Sequence, residues 1–163
     1  DRVCVLSEPL PHEIGHLAHF HWSEVAGRPR GKGPWWQLYS EGFAQRCEHL
    51  VLGRDSWHMA ANYEDDWVTW CTAKLPWLAR EFLRTVDAGA STRPFFGSWF
   101  QIAGRKQTGY FLGHEIIRRL ESRMTMRVIA LMDDVEGRMR SELEHLARSE
   151  VAKIHPQTGP REW

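Results

Sequence analysis

The sequence feature that most constrains this chain is the run H-E-I-G-H at positions 12–16, because the chemistry of such a run depends on a helix. On an α-helix, residues four apart lie on the same face, so the imidazoles of His12 and His16 can reach one metal ion. Glu13 is rotated to the side of that pair, where it can act on a water molecule. Ile14 and Leu17 are expected on the opposite side, packed into a core. The run therefore predicts an amphipathic helix with its ligands on a cleft side.

Helical spacing also dominates the rest of the chain. Loops are predicted at residues 27–34, 87–91 and 103–104, where Gly, Pro and small residues cluster. Between them the pattern predicts five helices, the third kinked or split at Pro76: Ser7 as N-cap to about Val25, Trp35 to about Leu52, about Ala60 to Val86, Thr108 to about Arg123, and Asp133 to about Lys153. Only Val3–Leu6 has a strand-like pattern. We therefore predict a mainly α, compact single domain over residues 1–154 and a flexible tail at 155–163.

The charge balance argues against several classes of partner. The 21 Lys and Arg residues are matched by 21 Asp and Glu residues, and no basic cluster stands out. A nucleic-acid-binding protein or one that binds an anionic membrane usually carries a basic patch. No apolar run approaches the length of a membrane span. We therefore expect neither a nucleic acid nor a membrane as partner, whereas the oligomeric state stays open.

The cysteines set the expected redox environment. Cys4, Cys47 and Cys71 are well separated, odd in number and form no CxxC pair. This spacing argues against a cysteine zinc site and excludes a complete disulfide framework. A reduced, cytoplasmic location is therefore the expected one.

A catalytic zinc ion needs a third protein ligand beside the two histidines, with one position left open. His19 shares their face but lies about 10 Å from His12 along the helix axis. We therefore expect it to contact a metal ligand without binding the metal itself, or to lie at the surface. The metzincin pattern fails, because it needs Gly where His19 stands and His where Trp22 stands. His21 is one residue out of place.

The remaining source of a third ligand is a carboxylate on the following helix. Glu41 lies there within the segment S-E-G-F-A at positions 40–44. Gly42 and Ala44 are small, so this helix can approach the first one closely. Glu48, seven residues further along a similar face, is a competitor for the same role.

Three short motifs, in this order, resemble those of the gluzincin metallopeptidases. They are H-E-x-x-H at positions 12–16, E-G-F-A at 41–44 and G-Y-x-x-G-x-x-I at 109–116. The third is similar to a helix found in a group of predicted zinc-dependent proteases known mainly as a domain of unknown function. The resemblance covers about Leu10 to Leu120, roughly two-thirds of the chain.

The resemblance implies a zincin-like domain that hydrolyses peptide bonds in a peptide or protein substrate. It implies Zn²⁺ as the cofactor, held by His12, His16 and Glu41. It also implies Glu13 as the general base. Stabilisation of the oxyanion would fall to Tyr110 or, one helical turn further on, to His114.

One departure from the family pattern leaves alternatives open. Gluzincins place a β-sheet before the H-E-x-x-H helix, but only eleven residues precede His12 here. We therefore expect the upstream sheet to be missing or vestigial. A non-catalytic binding module that the metal only stabilises, and a metallohydrolase of small amide substrates, are the alternatives to a peptidase.

Overall fold

Residues 9–57 and 66–149 are described by a computed structural model. About 70% of them are helical and none belongs to a strand, so the prediction of a mainly α fold is confirmed. The predictions for Val3–Leu6, for Ser7, for a helix start at about Ala60, for a helix end at about Lys153 and for the tail at 155–163 lie outside the described residues. The helices are α1 (Leu10–Val25), α2 (Gly33–Leu52), α3 (Trp67–Ala73), α4 (Leu75–Asp87), α5 (Arg93–Phe96), α6 (Thr108–Glu121), α7 (Met126–Ala130) and α8 (Val135–Arg148).

Most of the predicted helix boundaries hold to within two residues. The third predicted helix is split at Lys74, and Pro76 lies in the first turn of α4, where its missing N–H costs no intrahelical hydrogen bond. The Asp134 carboxylate caps α8 by accepting from the backbone N–H of Gly137 at 2.9 Å. The short helices α5 and α7 were not predicted. None of the described helices has the length and apolarity needed to cross a bilayer, and the cytoplasmic location stays a prediction.

Helix α2 lies at the centre of the fold, with α1 on one side and α6 on the other. Glycines make both contacts close. A Cβ on Gly15 of α1 would lie 2.8 Å from the Cα of Ala44 on α2. Gly42 of α2 in turn lies directly against Gly113 of α6. Because side chains are missing at these crossings, the three helix backbones come close enough for short polar side chains to meet between them.

The prediction that Ile14 and Leu17 pack into the core is wrong. Their side chains are 43% and 66% exposed, whereas His12, Gly15 and His19 form the buried side of α1. The reason is that α1 packs on α2 through the face that carries the histidines, since Gly15 permits the close approach there. The face that offers metal ligands is therefore also the packing face.

Candidate metal centre

Helices α1 and α2 bring two imidazoles and one carboxylate together. The Nε2 atoms of His12 and His16 each lie 3.3 Å from the same atom, Oε2 of Glu41. The ring centroids of the two histidines are 4.8 Å apart. Among residues 9–57 and 66–149, this is the only group of three or more His, Cys, Asp or Glu side chains spaced to hold one metal ion. The spatial convergence expected of these three residues is therefore present.

The spacing of these donor atoms fits a zinc ion. Ligand bonds of about 2.0–2.1 Å in a tetrahedron place neighbouring donor atoms roughly 3.3 Å apart. The two Nε2 to Oε2 distances have this value. Two histidines and one glutamate also form a known ligand set of catalytic zinc, which leaves a fourth position for a reactant. In the absence of an ion, the same contacts serve as hydrogen bonds from imidazole N–H groups to the carboxylate.

Side chains of α2 lie near the second ring nitrogen, Nδ1, of both imidazoles. Nδ1 of His16 lies 3.3 Å from the hydroxyl oxygen of Ser40, and Nδ1 of His12 lies 3.7 Å from Oε2 of Glu48. Glu48 is completely buried. Groups that face the second nitrogen of a metal-binding histidine fix the ring and direct the first nitrogen to the ion. Glu48 therefore lies near the other ring nitrogen of His12 and is not a member of the group of three, so it does not compete with Glu41.

The electrostatics keep the carboxylate of this group ionised. Burial by itself would raise the pKa of Glu41. Hydrogen bonds from His12 and His16 outweigh the effect of burial and bring the pKa down to about 2. A carboxylate with this pKa is a full negative charge at neutral pH, which suits a divalent cation.

Two further predicted residues lie next to the ligands. The exposed Glu13 follows His12 directly on α1, and the ring of Tyr110 on α6 lies 5.9 Å from the ring of His12. Burial raises the pKa of Tyr110, and the negative charges of Glu41 and Glu13 raise it further. The phenol therefore keeps its proton at neutral pH and can donate a hydrogen bond.

His114 occupies a different environment from Tyr110, although it is only one turn further along α6. It is buried against Trp57 and His49, and its Nδ1 lies 3.2 Å from Oε1 of Glu115. Its described contacts do not include any of the three ligand side chains. The structure thus brings Tyr110, but not His114, into contact with a ligand.

His19 corrects another expectation, because it is buried in the core instead of at the surface. Its Nε2–H donates to the hydroxyl of Tyr39 over 3.1 Å, and that hydroxyl donates to the carbonyl oxygen of Ile129 over 2.6 Å. Burial, followed by the charges of His16 and Arg30, lowers the pKa of His19 to about 4. His19 is therefore a neutral core residue that joins α1, α2 and α7.

Ser40 was not predicted as a site residue, and Glu48 was considered only as a competitor of Glu41 for the third ligand position. The sequence does place Glu48 near the site, since it lies seven residues, or two turns, after Glu41 on the same face of α2. A groove of about 580 Å³ also borders Glu41, between the start of α2 and the loop after α4, and includes Trp36 and Thr92. The groove could not be located from sequence, because its two walls are 50 residues apart in the chain.

Comparisons of the chain with protein-family models, with curated proteins and with solved structures find no match. The gluzincin resemblance therefore stays a prediction that rests on three short motifs. The geometry of the ligand group and of its neighbours supplies the independent support for a function.

Proposed function

We propose that this chain is a zinc-dependent hydrolase of the gluzincin type that cleaves peptide bonds. The observation that carries the proposal is the spacing of the donor atoms: two Nε2 atoms, each 3.3 Å from one carboxylate oxygen of Glu41. This spacing matches the edge of a zinc tetrahedron, and the ligand set leaves a reactant position. The described helices share one hydrophobic core, which is consistent with a single zincin-like domain.

The chemistry divides between the cofactor and the protein. Bound zinc supplies Lewis acidity, which lowers the pKa of water and polarises the carbonyl of the substrate. Glu13 accepts a proton from the attacking water and delivers it to the nitrogen of the leaving amine. Tyr110 donates a hydrogen bond to the carbonyl oxygen as negative charge develops on it. His12, His16 and Glu41 would hold the cation.

The groove beside Glu41 provides space for a peptide substrate. Its volume of about 580 Å³ lies within the usual range for small-ligand sites. Trp36 offers an aromatic surface, and Thr92 offers a hydroxyl group to main-chain atoms. A short peptide segment that lies in this groove would present a carbonyl near the ligand group. We therefore propose a peptide or protein as the substrate.

A second candidate function is a binding module that uses the metal only for stability. One observation favours it: the ligand face of α1 is also its packing face, so an ion held by His12, His16 and Glu41 would link α1 to α2. A third candidate, hydrolysis of small amides, would use the same catalytic groups with a smaller substrate. Activity measurements separate these candidates from the peptidase.

The test combines zinc analysis and hydrolysis of a fluorogenic peptide library by the full chain. Glu13→Gln is expected to keep its zinc and to lose activity by about 10²–10⁴-fold, the usual contribution of a general base. His12→Ala and Glu41→Ala are expected to lose both zinc and activity. Glu24→Gln, at an exposed glutamate of the same helix, is the matched control.

The outcomes of these measurements distinguish the candidate functions. Activity that survives Glu13→Gln at full zinc content would contradict the proposed mechanism. Zinc that raises the melting temperature without any Glu13-dependent hydrolysis would select the binding module. Full zinc content in both His12→Ala and Glu41→Ala would show that the ligand group is assigned wrongly.

A further inference from the structure

The loop before α6 contains two residues other than glycine with a left-handed backbone. The dihedral angle φ is 49° at Ala103 and 53° at Gln107. Ala103 and Gly104 form a tight turn closed by the antiparallel bridge between Ile102 and Arg105, and such turns require a positive φ at both central residues. Neither neighbour of Gln107 in the chain has a positive φ, so a turn of this kind does not explain it. A Cβ makes this conformation unfavourable, and an isolated case indicates a functional constraint.

Capping of α6 does not explain the conformation of Gln107 either. Gln107 is the N-cap residue of α6, but its side chain makes no capping hydrogen bond. An N-cap residue usually has an extended backbone and a side-chain oxygen that accepts from a backbone N–H of the first turn. Glycine would adopt the left-handed backbone without the steric cost that a Cβ brings. The helix itself therefore does not require a glutamine at this position.

Contacts with the start of α3 hold the two residues that precede Gln107. The guanidinium of Arg105 donates two hydrogen bonds to the carboxylate of Asp66, at 2.9 and 3.0 Å. The indole N–H of Trp67 donates to the carbonyl oxygen of Lys106 at 3.0 Å. A strained residue persists where the surrounding structure fixes it. These contacts on one side and helix α6 on the other therefore keep Gln107 in its left-handed conformation.

The side chain of Gln107 contacts Tyr110, which lies in the first turn of α6. Its amide forms a hydrogen bond with the phenol of Tyr110. Burial and the nearby carboxylates raise the pKa of Tyr110, whereas this hydrogen bond lowers it, so the amide N–H is the donor. The phenol oxygen accepts from Gln107, and its own proton therefore points in another direction. The centroid of the tyrosine ring lies 5.9 Å from those of His12 and Phe96.

We propose that Gln107 is a positioning residue for Tyr110: its amide holds the phenol oxygen so that the phenol proton is directed to the metal centre. The left-handed backbone sets the direction of the glutamine side chain, so the strain serves to orient the tyrosine. A donor fixed in this way needs no reorganisation when negative charge develops on the carbonyl oxygen of the substrate. The effect on catalysis rests on the proposed hydrolase function, whereas the orientation of the phenol beside His12 does not.

The orientation is tested in the zinc-free chain without any measurement of activity. Nuclear Overhauser contacts between the ring protons of Tyr110 and His12 are expected in the wild type and are expected to weaken in Gln107→Gly, with Tyr110→Phe to assign the signals. Ala103→Gly, at the other left-handed residue, is the matched control and is expected to keep them. Gln107→Ala also lacks the amide but keeps a Cβ, so it is expected to melt about 2–4 °C below Gln107→Gly. Unchanged contacts in a folded Gln107→Gly would overturn the proposal.

Steady-state kinetics of the zinc-loaded chain test the effect on catalysis. Gln107→Gly is expected to reduce kcat by about 10–100-fold with little change in KM, whereas Ala103→Gly keeps the wild-type kcat. The double variant Gln107→Gly/Tyr110→Phe is expected to have the kcat of Tyr110→Phe alone, because Gln107 acts only through the phenol. A further loss in the double variant, or a wild-type kcat in Gln107→Gly, would contradict the positioning role. A wild-type chain that hydrolyses no peptide but shows the expected Overhauser contacts and their loss would support the role of Gln107 and contradict the hydrolase function.

Discussion

Gly42 on α2 lies so close to Gly113 on α6 that a Cβ on Gly42 would come within 2.3 Å of the carbonyl carbon of Gly113. Real Cβ atoms do not approach backbone atoms this closely, so any side chain at position 42 forces α2 and α6 apart. Glu41 precedes Gly42 on the same turn, and Tyr110 lies one turn before Gly113. The glycine contact therefore fixes the distance between the proposed third ligand and the proposed oxyanion donor.

Gly42→Ala is expected to destabilise the protein by about 1–3 kcal/mol, the usual cost of overpacking, despite the better helix propensity of alanine. Urea denaturation measures the change in the free energy of unfolding. Gln37→Ala, at an exposed position of the same helix, is the control and is expected to stay within about 0.5 kcal/mol of wild type. A neutral or stabilising Gly42→Ala would mean that the two helices are further apart than described.

Glu48→Gln is expected to weaken zinc binding by about 10–100-fold while it leaves the three ligands in place. The reason is that the Glu48 carboxylate lies 3.7 Å from Nδ1 of His12, where it would orient the ring so that Nε2 faces a bound ion. Competition with a chromogenic chelator measures the dissociation constant. Equal zinc affinity in Glu48→Gln and wild type would show that Glu48 does not contribute to the site. Glu24→Gln is the control, because it removes a negative charge elsewhere on the surface.

Tyr110→Phe is expected to keep its zinc and to reduce kcat by about 10²–10³-fold, as for loss of a single oxyanion donor. His114→Gln is expected to change kcat far less, because His114 contacts none of the ligand side chains. Steady-state kinetics on one fluorogenic peptide compare the two variants. The reverse order of effects would transfer the role to His114.

The metal-free protein is expected to lose stability as the pH falls from about 6.5 to 4. The pKa of His19 is about 4 in the folded state and about 6.5 in the unfolded state, so the unfolded chain binds one more proton in this window. A difference of this size corresponds to about 3 kcal/mol. Below pH 4 both states carry the proton, and this contribution no longer changes.

His19→Asn is expected to reduce that pH dependence, since asparagine does not titrate. Chemical denaturation at several pH values between 4 and 7 measures the slope for the variant and the wild type. His145→Asn, at an exposed histidine, is expected to leave the slope unchanged. An identical slope in His19→Asn and wild type would mean that His19 is not buried as a neutral imidazole.

The sequence was sufficient to predict the main helices and the convergence of His12 and His16 with Glu41. Helical periodicity and the positions of Gly and Pro are local signals, and they located α1, α2 and α6 closely. The close approach of α1 and α2 was also foreseen at Gly42 and Ala44, although Gly15 and Ala44 make that contact and Gly42 faces α6. These parts of the fold depend on residue size and on the spacing of residues along the chain, and both can be read directly from the sequence.

The orientation of α1 could not be predicted in the same way. An apolar side chain usually indicates the buried face, so Ile14 and Leu17 were placed in the core, but both are exposed. Helix α1 has apolar residues on one side and histidines on the other, and the shape of its contact at Gly15 decides which side is buried. The contacts of His114 could not be predicted from sequence either, since His49 and Trp57 are more than 55 residues away in the chain.

Helix α2 alone supplies Ser40, Glu41 and Glu48, so their positions relative to the histidines of α1 depend on one helical register. Deletion of a single residue between Glu41 and Glu48 would rotate the rest of the helix by about 100°. Such a deletion would turn the Glu48 carboxylate away from His12 while Ser40 and Glu41 kept their places. A point substitution in this helix changes the contacts of one residue, whereas an insertion or deletion between Glu41 and Glu48 changes the orientation of every helical residue that follows it.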